Sequence, residues 1–152
     1  MNSYDYQLLN EQLKSITDGV DFDITNLANA AALLYQTLSD INWAGFYLVK
    51  ADQLLLGPFQ GRIACVKIPF GKGVCGTAAK EDRTVLVGDV HKFQGHIACD
   101  SASQSEIVIP IHVDGRLYGV LDIDSPLLNR FDETDQRGLE EFAGILGNRE
   151  SR

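Results

Sequence analysis

The sequence has few basic residues and no long apolar run, and each shortage excludes a class of protein. Its 152 residues include 13 lysines and arginines against 21 aspartates and glutamates, a formal net charge of −8. A chain of this charge repels nucleic acid and anionic membrane surfaces. No apolar segment approaches the roughly 20 residues that a membrane-spanning helix needs. We therefore expect a protein that binds neither nucleic acid nor membrane.

Cysteine is also scarce, with three residues: Cys65, Cys75 and Cys99. An odd number argues against the disulfide framework of a small secreted protein. Residues 1–6 contain no basic region and no apolar run, so they do not resemble a secretory signal. No two cysteines form a Cys-x-x-Cys pair, so the usual zinc-ribbon spacing is absent. We expect a cytoplasmic protein.

The sequence does contain enough apolar residues for one core, because 45% of the residues are hydrophobic and 22% are charged. We expect residues 1–152 to form a single domain. Apolar periodicity predicts helices over 6–16, 23–38 and 73–81 and a last helix after Asp132, and strands over 41–50, 54–56, 63–68, 84–87, 107–113 and 116–123. This order predicts an α+β fold, a central antiparallel sheet with N- and C-terminal helices packed on one face.

Some local details follow from the same patterns. Asp23 and Asp132 are the predicted N-caps of the second and the last helix. Asp114-Gly115 predicts a tight hairpin between the last two strands. The expected buried faces are Leu27, Ala28, Ala31, Leu34, Tyr35 and Leu38 in the second helix, and Leu139, Phe142, Ala143 and Leu146 in the last.

The three cysteines have different surroundings. Cys65 falls in an apolar segment predicted as a strand, where a cysteine is usually a small buried residue. Cys75 falls in a predicted short helix that follows a Gly-rich run, Gly71–Gly76. This run lacks the ending of a Walker loop and is suited to start a helix or cradle a carboxylate. Cys99 lies in the polar loop Gly95-His96-Ile97-Ala98-Cys99-Asp100, which exposes it to solvent and to backbone N–H groups.

Acidic residues cluster near the last two strands. Asp122 and Asp124 lie on one strand face, either as a solvated surface or as buried acids of which at least one keeps its proton. A regular turn pairs Ile107 with Asp122 and places Glu106 on the wrong face to join them. Glu106 can reach the aspartates only from a frayed strand end or through a bulge, for which Pro110 is a suitable position.

Two aromatic residues, Trp43 and Tyr47, lie on one face of a predicted strand. Such a pair can wall an apolar pocket, although core packing is the commoner role.

Taken together, these residues resemble the free methionine-(R)-sulfoxide reductases, single-domain enzymes of the GAF fold. The likeness covers nearly the whole chain, and the three cysteines with the His-Ile-Ala-Cys-Asp loop are its most specific part. The matching segments are Trp43-Ala44-Gly45-Phe46-Tyr47, Ile63-Ala64-Cys65, Gly71-Lys72-Gly73-Val74-Cys75-Gly76, Gly95-His96-Ile97-Ala98-Cys99-Asp100, Ser105-Glu106-Ile107-Val108 and Gly119-Val120-Leu121-Asp122-Ile123-Asp124-Ser125-Pro126.

The resemblance implies reduction of free methionine sulfoxide through a cysteine sulfenic acid, as in a response to oxidative stress. It makes Cys99 the nucleophile, Cys65 the resolving thiol that closes a disulfide, and Cys75 a secondary or relay thiol. Thioredoxin would then reduce the disulfide by thiol exchange. No cofactor or metal is implied, and the family often forms homodimers.

The resemblance also gives roles to the acids and the aromatic pair. Glu106, Asp122 and Asp124, with Trp43 and Tyr47, would bind the substrate, the acids holding its ammonium group. An acid that keeps its proton, with Asp124 placed among the catalytic residues, would meet the sulfoxide oxygen. Because acids disfavour a nearby thiolate, activation of Cys99 would require the substrate's own positive charge.

Two other functions compete with the reductase. One is a GAF-type sensor that binds a small molecule without turnover, although such sensors usually adjoin an output domain. The other is a zinc-stabilised interaction domain built on Cys65, Cys75, Cys99 and His96. Release of methionine from its sulfoxide separates the first from the reductase, and metal analysis tests the second.

Overall fold

Four α-helices, one short 3-10 helix (Val90–Lys92) and six strands occupy the part of the chain that the computed structural model describes, residues 1–95 and 102–149. The helices are α1 (Ser3–Thr17), α2 (Asp23–Thr37), α3 (Gly73–Glu81) and α4 (Glu133–Gly147). The strands are β1 (Trp43–Lys50), β2 (Gln53–Gly61), β3 (Lys67–Pro69), β4 (Val85–Val87), β5 (Ser105–Val113) and β6 (Arg116–Ser125). No helix within these ranges is long and apolar enough to cross a membrane.

All six strands join one antiparallel sheet, in the order β3-β2-β1-β6-β5-β4. The first and last long strands of the sequence, β1 and β6, therefore lie side by side at the centre, with Trp43 opposite Asp124. The predicted α+β class with an antiparallel sheet is confirmed.

The two faces of the sheet carry separate cores because strand side chains alternate between faces. On one face, Phe46, Ile107 and Leu121 are buried beneath α1, α2 and α4. On the other face, Val108 and Val120 pack with the apolar side of α3. The N- and C-terminal helices thus share a face, as predicted, and α3 packs on the opposite one together with Val90 and neighbouring loop residues.

The predicted bounds of α3 and the start of α4 are confirmed. Asp132 caps α4, because its side chain accepts a hydrogen bond from the backbone N–H of Asp135 at 2.9 Å. The Asp135 carboxylate in turn accepts a hydrogen bond from the backbone N–H of Asp132. All four residues predicted for the buried face of α4 are buried.

The predicted cap of α2 is wrong. The N-cap is Phe22, and Asp23 is the first helical residue. The Asp23 carboxylate instead accepts hydrogen bonds from the Tyr118 hydroxyl, at 2.9 Å, and from Arg149. These tertiary partners take the side chain away from the helix end.

The predicted buried face of α2 is partly wrong, because Ala28 and Tyr35 are exposed. The helix instead buries Ala30 and Leu33 beside the correctly predicted Leu27, Ala31, Leu34 and Leu38. Helical spacing alone does not define the edges of the apolar stripe. Packing against β1 and β2 decides which residues at those edges are buried.

The predicted strand over 63–68 is also wrong. β3 is short and pairs only with residues 53–55 of β2. Residues 62–66, here called the Cys65 segment, lie outside the sheet between β2 and β3. Ile63 is 91% exposed and Cys65 is partly exposed, so the predicted burial of Cys65 on a strand is wrong as well.

The β5–β6 hairpin is not regular. Asp114 and Gly115 form its turn with positive φ, as expected for a primed hairpin turn. A register shift follows between Ile111, which pairs with Gly119, and His112, which pairs with Leu117, so that β6 has one residue more than β5 at this point, Tyr118. The extra residue shifts the pairing between β5 and β6 by one position from this point on. It lies nearer the turn than Pro110, which keeps regular pairing with Val120, so the predicted position of the bulge is wrong.

Candidate active site

A pocket opens on the α3 side of the sheet. Its walls are the ends of β1, β5 and β6, the first turn of α3 and the Cys65 segment, and it contains about 550 Å³ of empty space including its mouth. The lining residues are Trp43, Tyr47, Ile63, Ala64, Ile68, Lys72, Gly73, Val74, Cys75, Ser103, Glu106, Asp122 and Asp124.

The aromatic wall consists of stacked rings on β1 and β2. The Trp43 ring lies between Tyr47 and Phe59, with centroid distances of 5.9 and 5.2 Å. Gly45 makes this stack possible, because a Cβ at that position would overlap Phe59 and meet the Trp43 ring. The rings therefore form a flat apolar surface that is mostly buried, as predicted for a pocket wall.

The acidic wall brings together the three predicted carboxyl groups. The bulge in the hairpin pairs Glu106 with Asp124, and Asp122 with Val108, so the three acids share one face of the sheet. Glu106 and Asp122 are 8% and 5% exposed, which confirms burial over a solvated strand face. The regular register that would have turned Glu106 away is wrong, and the bulge is the reason.

Cys75 reaches the acidic wall from α3. Its Sγ lies 4.0 Å from Glu106 Oε2, and its side chain is buried. Burial raises the pKa of the Cys75 thiol well above its usual value, and the charges of Asp122, Glu106 and Asp124 raise it further. A thiol with these neighbours stays protonated and is a poor nucleophile at neutral pH.

The pKa of Glu106 is also raised well above the usual carboxyl range. The largest cause is burial, followed by the negative charges of Asp122 and Asp124. Three acids that face each other in poor solvent cannot all ionise. The raised pKa favours the protonated form of Glu106, which can donate a hydrogen bond, an uncommon role for a carboxyl side chain.

The Cys65 segment contributes Ile63 and Ala64 to the pocket lining and is attached to the aromatic wall. The Tyr47 hydroxyl donates to the Cys65 carbonyl at 2.9 Å, and the Trp43 indole N–H donates to the Arg62 carbonyl at 3.1 Å. Cys65 is disulfide-bonded, whereas Cys75 is a free thiol. The two cysteines therefore differ in redox state as well as in exposure.

The Gly-rich run starts α3, as predicted. Gly73 has a positive φ, and its N–H donates to the Gly95 carbonyl at 3.1 Å. Gly76 packs so closely on the Pro69 carbonyl that a Cβ there would overlap it. This close approach brings Lys72 and Val74 to the pocket rim.

One predicted site residue, Cys99, lies outside the described residues, as do His96 and the other residues of 96–101. The zinc alternative loses one of its ligands, because a disulfide-bonded Cys65 offers no thiolate. Within residues 1–95 and 102–149, the group with metal-ligand spacing is Cys75, Glu106 and Asp122, whose donor atoms lie within 4.8 Å of one another.

Sequence reasoning missed several pocket residues. Ser103, Ile63, Ala64, Ile68, Lys72 and Val74 line the pocket without having been predicted as site residues. Lys72 and Val74 belong to the Gly-rich run Gly71–Gly76, and their closeness to Cys75 in the sequence could have predicted a place in the pocket. Ser103 and Ile63 lie outside strands and helices, where no regular alternation of side chains shows which of them face a pocket.

Comparisons with known proteins agree with this geometry. The GAF domain family matches residues 24–148. Protein YtsP of Bacillus subtilis is 59% identical over 144 residues, covering 93% of this chain and 88% of that protein. The free methionine-R-sulfoxide reductase of Escherichia coli is 52% identical over 141 residues, covering 93% and 86%.

A solved structure is similar over the same range. The free methionine-R-sulfoxide reductase from Neisseria meningitidis, in complex with its substrate, is 49% identical with a TM-score of 0.90. The match covers 93% of this chain and 86% of that one.

Proposed function

Because this chain belongs to the GAF domain family and, within it, to the free methionine-R-sulfoxide reductases, we propose that it reduces free L-methionine-(R)-sulfoxide to L-methionine. The observation that carries the proposal is one pocket with stacked aromatic rings on one wall and three converging acids on another. The rings suit the thioether end of the substrate, and the acids suit its oxygen and its ammonium group.

The reductive step begins at Cys99, the nucleophile by family resemblance. Its sulfur attacks the sulfoxide sulfur, the S–O bond of the substrate breaks, and the oxygen stays on the enzyme as a sulfenic acid while methionine leaves. The step is balanced, because a thiol and a sulfoxide become a sulfenic acid and a thioether, and the sulfenic acid carries both the thiol proton and the sulfoxide oxygen. An acid that polarises the sulfoxide oxygen lowers the barrier.

Glu106 is suited to that task because its raised pKa favours the protonated form. Its O–H can donate to the sulfoxide oxygen, where negative charge develops during attack. Asp124, directly opposite Glu106, is proposed to share this proton, and Asp122 and Asp124 to hold the substrate ammonium. Binding of the ammonium would also offset the negative field that disfavours a thiolate in the pocket.

Free substrate is preferred over peptide for the same reason. A methionine sulfoxide residue within a peptide has no α-ammonium to pair with buried carboxylates. A bound peptide would therefore bury these acids without supplying a positive charge, and this costs binding free energy. The acids therefore act as a selectivity filter as well as a catalytic group.

Recycling is proposed to use Cys65 as the resolving thiol. Its sulfur attacks the sulfenic sulfur of Cys99, a disulfide forms and water leaves. Support comes from the setting of Cys65, which is disulfide-bonded and lies between Ile63 and Val66, exposed by 91% and 64%. An exposed apolar surface beside a disulfide suits exchange with thioredoxin, the proposed reductant. Cys75, buried and free, is a secondary thiol.

The decisive experiment combines the reduced protein with equimolar free methionine-(R)-sulfoxide, without added reductant. We expect about one methionine per enzyme, and mass spectrometry should then map a disulfide between Cys65 and Cys99. The S epimer and N-acetylmethionine sulfoxide serve as comparison substrates. Binding without methionine release would favour a sensor and overturn the proposal. The mass of the protein in solution tests the expected homodimer.

A further inference from the structure

The Cys65 segment has little regular structure, yet three of its backbone carbonyls have identified donors. The Arg62 carbonyl accepts from the Trp43 indole at 3.1 Å, the Cys65 carbonyl from the Tyr47 hydroxyl at 2.9 Å, and the Val66 carbonyl from the Leu56 N–H at 2.9 Å. Two of these donors are side chains of the pocket wall. The position of the segment therefore depends on the same aromatic residues that face the substrate.

These two donors are rigid. Trp43 and Tyr47 are 3% and 2% exposed, and Trp43 is stacked between Tyr47 and Phe59. Burial raises the pKa of the Tyr47 hydroxyl, with smaller contributions from the nearby acids and Cys75, so this group keeps its proton across the working range of the protein. The stacked rings that hold these donors belong to β1 and β2, outside the Cys65 segment.

We infer that Trp43 and Tyr47 are positioning residues for Cys65, whose hydrogen bonds hold the Cys65 segment where its thiol can meet the sulfenic acid. This inference rests on the proposed function and deepens it, because it concerns the second chemical step rather than substrate reduction. In that step the Cys65 sulfur bonds to the sulfenic sulfur, the S–O bond breaks, and the hydroxyl leaves as water with the thiol proton.

Position matters in this step because it joins two groups of one chain. An intramolecular reaction gains rate from orientation, and a displacement of about 1 Å can cost roughly a hundredfold. Without the Tyr47 hydroxyl, the Cys65 carbonyl loses a donor and the segment gains freedom. The rate of disulfide closure should then fall even where the pocket still binds substrate.

The experiment measures both steps in one reaction. Reduced protein is mixed with equimolar free methionine-(R)-sulfoxide without external reductant and stopped at intervals. Methionine is quantified by chromatography, the sulfenic acid is trapped with dimedone, and the disulfide is counted by mass after alkylation. The informative quantity is the rate of disulfide closure divided by the rate of methionine formation.

We expect this ratio to fall about tenfold in Tyr47→Phe, with a longer-lived sulfenic acid. Trp43→Phe, which removes the indole donor, should lower it in the same direction. The matched control is Tyr118→Phe, which removes a hydroxyl that also donates at 2.9 Å, to Asp23, away from the pocket. That control should keep the wild-type ratio.

Two results would overturn the inference. One is a wild-type ratio in both Tyr47→Phe and Trp43→Phe, whatever their stability. The other is an equal fall in Tyr118→Phe, which would indicate general loosening rather than positioning. Failure of the proposed function would give a different result, because the wild-type protein itself would then release no methionine.

Discussion

Glu106 lies directly opposite Asp124 across the β5–β6 pair, on the pocket face of the sheet. Two carboxylates placed this way repel each other. Protonation of Glu106 relieves this repulsion, and it is favoured because burial, and after it the charges of Asp122 and Asp124, raise the pKa of Glu106. The hairpin thus places in the pocket a carboxyl group whose protonated form is favoured, and it does so without using a histidine.

We expect Cys99→Ser to abolish reduction of free methionine-(R)-sulfoxide, because a serine hydroxyl is not a comparable nucleophile toward the sulfoxide sulfur. Methionine release in a single turnover measures the effect, and circular dichroism checks the fold. Near-normal methionine yield from this variant would refute the assignment.

Cys65→Ser should still form about one methionine per enzyme but lose steady-state turnover with thioredoxin, because a resolving thiol acts after the chemical step. Cys75→Ser is the matched control, since its buried thiol has a raised pKa and contributes little thiolate. If the recycling defect appears in Cys75→Ser instead, the roles of the two thiols are exchanged.

Much of the fold was predictable because its signals are local. The Gly-rich start of α3, the Asp132 cap and the Asp114-Gly115 turn each depend on a few neighbouring residues. The three acids could be singled out as a group, but their convergence could not be derived. It depends on one extra residue in β6, Tyr118, near the turn of the hairpin.

The Cys65 segment shows the opposite case. Ile63-Ala64-Cys65-Val66 has the composition of a buried strand, which is why the sequence predicted one. β3 pairs only with residues 53–55, so the segment has no strand partner and becomes a pocket wall. Apolar composition could not distinguish a core strand from the lining of a binding site.

Two glycines of α4 should respond in opposite ways to alanine. A Cβ on Gly138 would overlap the Tyr6 ring, so Gly138→Ala should lower the free energy of unfolding by about 1–3 kcal/mol. Nothing lies within 4 Å of a Cβ on Gly144, so Gly144→Ala should raise it by about 0.5–1 kcal/mol. Urea unfolding measures both, and equal effects would contradict the packing of α1 on α4.

Asp124→Asn should lower the rate of methionine formation, because it removes a charge that pairs with the substrate ammonium and the acid opposite Glu106. The loss of one charge-assisted hydrogen bond costs about 1.5–3 kcal/mol, or roughly ten- to a hundredfold in rate or affinity. Asp114→Asn, in the exposed hairpin turn, is the control. Equal rates for the two variants would exclude Asp124 from the site.

Glu106→Gln tests whether a protonated carboxyl is the acid. Because the folded pKa of Glu106 is raised, the unfolded chain loses this proton at a lower pH than the folded protein. Glu106 therefore lowers the free energy of unfolding as pH rises from its usual value of 4.5 toward the raised one. Glutamine does not titrate, so the variant should become more stable than the wild type across that interval and equal it in acid.

Activity should change in the opposite direction, because glutamine can donate a hydrogen bond but cannot transfer a proton. We expect kcat/KM to fall about a hundredfold, and the alkaline limb that Glu106 gives the wild-type profile to disappear. Glu141→Gln, on the exposed side of α4, is the matched control and should alter neither profile. A variant that is less active but keeps the wild-type alkaline limb would show that another acid supplies the proton, and Asp124, directly opposite, would be the next residue to test.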